Sequence, residues 1–426
     1  MKADSLPGRA ASRFRPQSLD ALNFLLADVR GGLGPYLNVF LVTQQGWSQS
    51  ATGLMTTVSG LIGLAAQTPA GAAIDATRAK RGVVVAALVV LAGGAVVIFA
   101  LPRFWPVLAA NSVMALVGDI FGPAVAALTL GLFALHELPH RMGRNSAFDH
   151  AGNVAFAVIA AMIGWLFGQR AVFLLVPAFA LLAGVAVLSI PAIAIDHRQA
   201  RGADPDTASN SPAGLRELLE NRPLVVFGGC LMLFHFANAP LLPLVGQKLA
   251  SANPSLATAM MSFCIIAAQL VMLPVALISG KKADPWGRKP ILLAAFAILP
   301  IRAALYTLSN NTQWLIAVQV LDGVGAGVLG TLTPLVTADV TRGTGRYNLA
   351  LGAAVTAQGI GASLSGLAAG LVVDHVGYNA AFLAAGGVAA LAFAVCWLLL
   401  PETAPRPLSQ PDNPRLAPDS PRPDCS

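Results

Sequence analysis

The sequence predicts an all-α integral membrane fold, with twelve transmembrane helices in two pseudo-symmetric six-helix bundles around a central cavity. Three observations carry this expectation: long apolar runs almost free of charge, basic residues confined to alternate loops, and a repeat relating the two halves. Of 426 residues, 56% are hydrophobic and only 11% charged, against roughly 25% charged in a soluble chain. A charge at the centre of a spanning helix costs about 2.5–3.5 kcal/mol even on insertion scales, so its scarcity is what lipid demands. Each helix needs about 20 apolar residues to cross a hydrocarbon core of about 30 Å. Twelve spans use roughly 240 residues, which leaves chain for short loops, a linker and two tails.

The elements follow in order. Residues 1–19 are polar and basic, lack a cleavable-signal pattern and read as a cytoplasmic tail. Apolar runs bounded by charged or Pro/Gly-rich breaks then place helices at 20–43, 51–74, 82–101, 106–134, 148–168 and 172–195. Residues 196–223, rich in Pro, Ser, Asp and Ala, form a cytoplasmic linker between bundles at 20–195 and 224–400. Within the linker, Leu215-Arg216-Glu217-Leu218-Leu219-Glu220 suits either a short amphipathic surface helix or a plain connection. The second bundle holds helices at 224–246, 257–279, 290–309, 313–338, 349–372 and 379–400. Residues 401–426 are Pro-rich and are expected to form a disordered cytoplasmic tail.

The basic residues test this layout. All but five of the 27 Lys and Arg fall in the two tails and the loops on one side. The exceptions are Arg103, Arg170 and Lys248 in opposite loops, and Arg30 and Arg302 inside helices. One missed span would invert every later loop and destroy the bias, so both termini are expected to be cytoplasmic. The formal net charge of +7 is therefore an orientation signal, and no basic stripe with interleaved aromatics suggests nucleic acid. Cys230, Cys264 and Cys396 lie in apolar runs and Cys425 in the tail, a spacing that suggests neither disulfides nor zinc. Neither a nucleophile elbow, a phosphate-binding loop nor a metal-spaced cluster appears. An enzyme is not expected, nor a cofactor.

The two halves repeat each other. Gly71-Ala-Ala-Ile-Asp75-Ala76-Thr-Arg78 follows helix 2, and Gly280-Lys-Lys-Ala-Asp284-Pro-Trp-Gly287-Arg288-Lys289 follows helix 8. The same 209-residue offset separates Gly71 from Gly280 and Asp75 from Asp284. Gly143-Arg144-Asn145 and Gly345-Arg346-Tyr347-Asn348 form a second echo, after helices 4 and 10. Parallel six-helix repeats are an architecture of secondary transporters, whose substrate site lies between the halves near mid-membrane. The Gly-x-x-x-Asp-x-x-Gly-Arg-Lys pattern resembles the loop signature of the major facilitator superfamily, and the resemblance covers nearly the whole chain. The first-half copy departs from it, with Ala76 for the usual basic residue and Arg78 for the usual glycine. Gly71, Asp75, Arg78, Gly280, Asp284, Gly287, Arg288 and Lys289 are accordingly expected to form a cytoplasmic gate. Such a charge network would hold helix ends together in one state and release them in the other.

Ionisable residues inside a bilayer are functional candidates by default. Those well away from helix ends are Asp28, Arg30, Asp119, His235, Arg302 and Asp322. In the resembled family helices 1, 4, 7 and 10 line the cavity, and all but Arg302 fall on them. Asp28, His235 and Asp322 lie at similar depths, so one cavity level is expected to hold a proton site. Asn111, Asn238 and Gln319 share helix faces with these charges and complete the expected substrate and proton set. Asp28 and Arg30 are about 200° apart on a regular helix, so only one faces the cavity. A local break at Gly31-Gly32-Leu33-Gly34-Pro35 would lift that restriction. Arg302 is expected in a structural ion pair or snorkelling to the interface.

Together these readings predict a monomeric secondary transporter of the bacterial inner membrane. It moves a small organic solute by alternating access, coupled to protons and outward. Helix 5 lacks the late Gly-Pro motif usual in proton antiporters of the family, and Asn111 stands where many drug exporters have arginine. Uptake by proton symport therefore stays open, as does a non-transporting membrane sensor of the same fold.

Overall fold

The computed structural model describes residues 15–27, 29, 33–77, 79–134, 137–196, 220–342 and 347–404, without the side chains of 68–76, 139 and 348. All regular structure among them is helical. The first span is split into α1a (Pro16–Leu26) and α1b (Leu33–Thr43), either side of the Gly-rich stretch. It is followed by α2 (Gln49–Ala76) and α3 (Lys80–Ala100). Next come α4a (Phe104–Gly118), α4b (Phe121–Leu132) and α5 (Leu138–Phe167). The sixth span opens with a 3-10 turn, Gln169–Leu174, and continues as α6 (Leu175–Leu188). The second half comprises α7a (Arg222–Asn238), α7b (Leu241–Ala252), α8 (Ala257–Trp286), α9 (Arg288–Leu308), α10 (Thr312–Val340), α11 (Tyr347–Val376) and α12 (Tyr378–Leu399). Ten spans among the described residues, from the third to the twelfth, are long and apolar enough to cross a bilayer, and α1b is a shorter apolar helix.

Three spans are interrupted, and each resumes with proline as its third residue: Pro35, Pro123 and Pro243. Proline has no N–H to donate and its ring crowds the carbonyl four residues earlier. For Pro123 that residue is Asp119, and for Pro243 it is Ala239, which are the points where α4a and α7a end. The breaks thus correct the continuous helices expected at 106–134 and 224–246. Pro274, Pro300 and Pro334 stay inside unbroken helices.

Two other boundaries shift for an electrostatic reason. Helix α5 begins ten residues before its expected start, so Gly143-Arg144-Asn145 is helical and not a loop. Helix α8 runs through Gly280 and Asp284 to Trp286. At the start of α5, Arg141 and Arg144 find Asp20 of α1a, and at the end of α8, Asp284 finds Arg288 of α9, contacts that stabilise the extra turns. Residues 197–219, with most of the proposed amphipathic segment, and residues 405–426 lie outside the described residues.

Each half has its own apolar core. Leu22, Phe40, Leu88, Phe121, Phe156 and Phe173 belong to the first, and Phe227, Leu231, Phe296, Leu332 and Phe382 to the second. The halves meet along α2 with α11, α5 with α8, and α1b with α7b. Adding or subtracting six helices converts the first pair into the second, so the interface obeys the repeat. The inter-half contacts run from the end opposite the basic loops to mid-membrane. Tyr36 Oη lies 2.9 Å from Ser262 Oγ, Thr57 Oγ1 donates to the Ser363 carbonyl at 2.6 Å, and His150 Nδ1 lies 3.0 Å from Gln269 Oε1.

Candidate functional site

Between the halves, on the basic-loop side of these contacts, lies a cavity of ≈ 390 Å³. Helix α2 contributes Gln67, α11 contributes Gln358 and Ser363, and Asp119 and His235 also line it. The proline break produces this arrangement. Asp119 is the residue at which α4a stops, so its carboxylate sits at an interrupted point of the span and not on a lipid-facing helical surface. Asp119 has no hydrogen-bond or ion-pair partner among the described residues. His235 Nδ1 lies 3.0 Å from the Leu231 carbonyl. A carbonyl only accepts, so Nδ1 carries the hydrogen and Nε2 is left as the proton acceptor.

A second, smaller chamber of ≈ 110 Å³ lies toward the closed end, lined by Asn38, Gln49, Thr52, Gln247 and Ser365 among others. It carries no charge. Asn38 Oδ1 and Gln247 Oε1 are buried without a hydrogen-bond partner. Neither residue stood out in the sequence, because a lone uncharged amide in a helix has no periodic or motif signal.

The structure separates the other expected cavity residues. Asp322 pairs with Arg302, while Gln319 Nε2 donates to Asp322 Oδ2 at 3.0 Å and Tyr306 Oη donates to Gln319 Oε1. Arg302 is 2% exposed and Gln319 fully buried, so this network ties α9 to α10 inside the second half and does not line the cavity. A buried guanidinium cannot shed its charge and claims the Asp322 carboxylate, which lines neither chamber. Asn111 is also displaced, with Nδ2 3.2 Å from Met55 Sδ. Asn238 Oδ1 is buried with no partner, and the residue lines neither chamber. Asp28 and Arg30 lie outside the described residues.

At the basic end, Arg288 gathers the second-half gate motif. Its Nη1 donates to Asp284 Oδ1 at 2.7 Å and its Nε to Asp339 Oδ2 at 2.9 Å. Asp339 also takes a bond from Arg342 Nη2 at 3.0 Å. Gly287 has φ +83°, a left-handed conformation suited to glycine. A Cβ there would lie 2.6 Å from Glu402 Oε2. Glu402 in turn accepts from the backbone N–H of Arg288 at 2.9 Å and of Lys289 at 3.1 Å. Burial opposes ionisation of Glu402, but the N–H groups of Ala404, Arg288, Lys289 and Thr403 outweigh it and hold the carboxyl below its usual range. Residues 401–404, read from sequence as the start of a disordered tail, are thereby anchored to the start of α9.

All these partners belong to one half, and the Asp284 side chain is 83% exposed. The first half has a parallel clamp. Asp20 of α1a accepts from Arg144 Nε and Nη2 at 3.0 and 2.7 Å and pairs with Arg141 Nη2 at 2.6 Å. Gly71 and Asp75 fall within the backbone of α2, but their surroundings and Arg78 lie outside the described residues. Asp20, Asp339 and Glu402 were missed in the sequence because each lies beyond the repeated motif and meets it only in space.

The family model described as Major Facilitator Superfamily matches residues 19–301 and 269–422. A protein of Mycobacterium tuberculosis named as an uncharacterized MFS-type transporter is 46% identical over 389 residues, covering 91% of this chain and 93% of its own. The multidrug resistance protein fnx1 of Schizosaccharomyces pombe is 30% identical over 107 residues, 24% of this chain and 19% of its own. Among solved structures, a variant of the nucleoside transporter NupG superposes with TM-score 0.74 at 14% identity, over 91% of this chain and all of that one. A D-xylose-proton symporter gives TM-score 0.68 at 16% identity, over 91% and 97% of the two chains.

Proposed function

The chain belongs to the major facilitator superfamily and is a secondary-type membrane transporter, and from that premise we propose that it exports a small organic solute in exchange for protons by alternating access. The observation that carries this reading is the cavity of ≈ 390 Å³ between the halves, which holds an unpaired carboxylate, Asp119, and an imidazole, His235. Its size falls at the lower end of the roughly 300–1,000 Å³ typical of small-molecule sites. Asp119 is the proton-carrying group and His235 Nε2 the neighbouring acceptor. The amides of Gln67 and Gln358 supply neutral polar contacts to the solute. The basic end of the molecule faces the cytoplasm of a bacterial inner membrane, with both termini inside and the protein a monomer. The described conformation is then inward-facing, closed at the outer end.

Outward transport is supported by the partial similarity to a multidrug resistance protein. Uptake by proton symport is the second reading, and the shared fold with a D-xylose-proton symporter is compatible with it. Purified protein in proteoliposomes, with an imposed pH gradient and a panel of charged and neutral solutes, separates these cases. Exchange alkalinises the lumen opposite to the direction seen for symport. Asp119→Asn is expected to lower proton-driven flux at least tenfold while solute exchange without a gradient persists. Undiminished coupling in Asp119→Asn would sink the assignment of the proton site.

A further inference from the structure

The start of α2 is completed by the other half of the molecule. The first turn of any helix leaves backbone N–H groups without partners inside the helix. In α2 the third of these, Ala51 N–H, is met by Ser48 Oγ at 3.1 Å in an ordinary N-cap. The first two are not met locally. Gln49 N–H donates to Asp374 Oδ1 at 3.0 Å and Ser50 N–H to Asp374 Oδ2 at 2.8 Å. Asp374 lies in the last turn of α11, in the second half. Beside this contact, Gln49 Nε2 donates to Tyr378 Oη at 2.8 Å, at the start of α12.

We propose that Asp374 is the outer gate latch, a carboxylate that crosses between the halves to cap α2 and bias the transporter toward its outer-closed state. Three physical facts support it. The carboxylate stands at the positive end of a 28-residue helix, where negative charge is stabilised. Both its oxygens are used, one per N–H, so separating the halves breaks two charge-assisted hydrogen bonds at once. The contact also sits over the uncharged chamber, which Gln49 and Gly370 line from either side. Opening here would expose that chamber's unpartnered amide oxygens to the outer solvent.

The repeat sharpens the assignment. The pair related to α2 and α11 by the repeat is α8 and α5, and its outer end closes without charge. There Gln169 Nε2 donates to the Pro254 carbonyl at 3.4 Å. A Cβ on Gly164 would lie 2.4 Å or slightly more from the Thr258 side chain, so close packing does the work of an ion. The latch is one-sided, and its loss acts on one edge of the outer gate.

The inference rests on the alternating-access reading, and the test separates the two. Full-length protein carrying Gln45→Cys and Val376→Cys, with Cys425→Ser, is spin-labelled in lipid nanodiscs and the distance distribution measured. Both reporter positions are exposed at the outer end. A wedge, Gly53→Trp, forces α2 from α11 because Gly53 already abuts the Gly366 carbonyl, and it calibrates the open distance. Asp374→Ala is expected to shift the closed-to-open ratio about tenfold toward open, the size of losing a charge-assisted helix cap. Asp374→Glu restores the closed population. Should Asp374→Ala fail to give monodisperse protein, Gln49→Pro removes one latch N–H from the other half. Proline is tolerated at that first helical position, and the same shift is expected. If the wedge opens the pair while Asp374→Ala or Gln49→Pro keeps the unperturbed distribution, the latch is overturned and alternating access stands. If the wedge itself yields no second distance, the alternating-access reading fails and the latch with it.

Discussion

The Arg302–Asp322 pair offers the sharpest distinction between a structural charge and a transport charge. Asp322→Asn removes the counter-ion of a guanidinium that is 2% exposed and whose Nε and Nη2 already lack partners. Breaking a buried pair from one side costs about 3–5 kcal/mol, because the remaining charge has nowhere to go. Arg302→Met should cost less, about 1–3 kcal/mol. The stranded Asp322 side chain is 18% exposed, and a carboxyl can take up a proton where arginine cannot release one. For a bundle of this size roughly 2–4 °C of midpoint accompanies each kcal/mol, so Asp322→Asn is expected to lower the midpoint by about 6–20 °C. The double variant Arg302→Met/Asp322→Asn should sit above Asp322→Asn alone, since the orphaned charge is gone. Thermal unfolding of purified protein in one detergent, at one heating rate, measures the series without assuming reversibility. A drop below about 3 °C for Asp322→Asn, or a double variant equal to the sum of the singles, would refute the structural assignment. Loss of proton coupling at an unchanged midpoint would instead return Asp322 to the transport pathway.

Two further outcomes follow from named contacts. Glu402→Gln removes the negative cap on α9 and should cost about 1 kcal/mol of stability, read as a lower midpoint at neutral pH. Because the folded carboxyl titrates below its usual range, this contribution is present above the ordinary glutamate value and disappears as pH falls through the lowered one. The wild-type and Glu402→Gln midpoints should therefore converge in acid, and a constant gap between them would count against the cap. Gly323→Val should destabilise by at least about 2 kcal/mol, since even a Cβ at Gly323 meets the Ala268 carbonyl where α10 crosses α8. A midpoint within about 2 °C of wild type in the same assay would show that the helices can part at little cost.

Much of this architecture is legible in one dimension because lipid imposes a one-dimensional rule. Apolar length and the sidedness of Lys and Arg placed the spans, and the repeated Gly-x-x-x-Asp marked equivalent ends of α2 and α8. Even the break in the first span was announced by Gly31-Gly32-Leu33-Gly34-Pro35. Pro123 and Pro243 carried the same information for α4 and α7, but a lone proline also occurs inside unbroken α8, α9 and α10. A single proline in an apolar run is thus compatible with either outcome.

The sequence by itself determined which charges enter the membrane, because each one interrupts an apolar run that hydrocarbon would otherwise require. Only the tertiary structure decided what those charges do. Asp119 and Asp322 are equivalent as letters, yet a proline-terminated helix delivers the first to a cavity and a buried arginine captures the second. Asp374 and Glu402 show the same dependence, since each acquires its role from backbone N–H groups of a helix distant in sequence. Hydrophobicity acts on every residue wherever it stands, whereas hydrogen bonds and ion pairs act over a few ångströms between partners that only folding brings together.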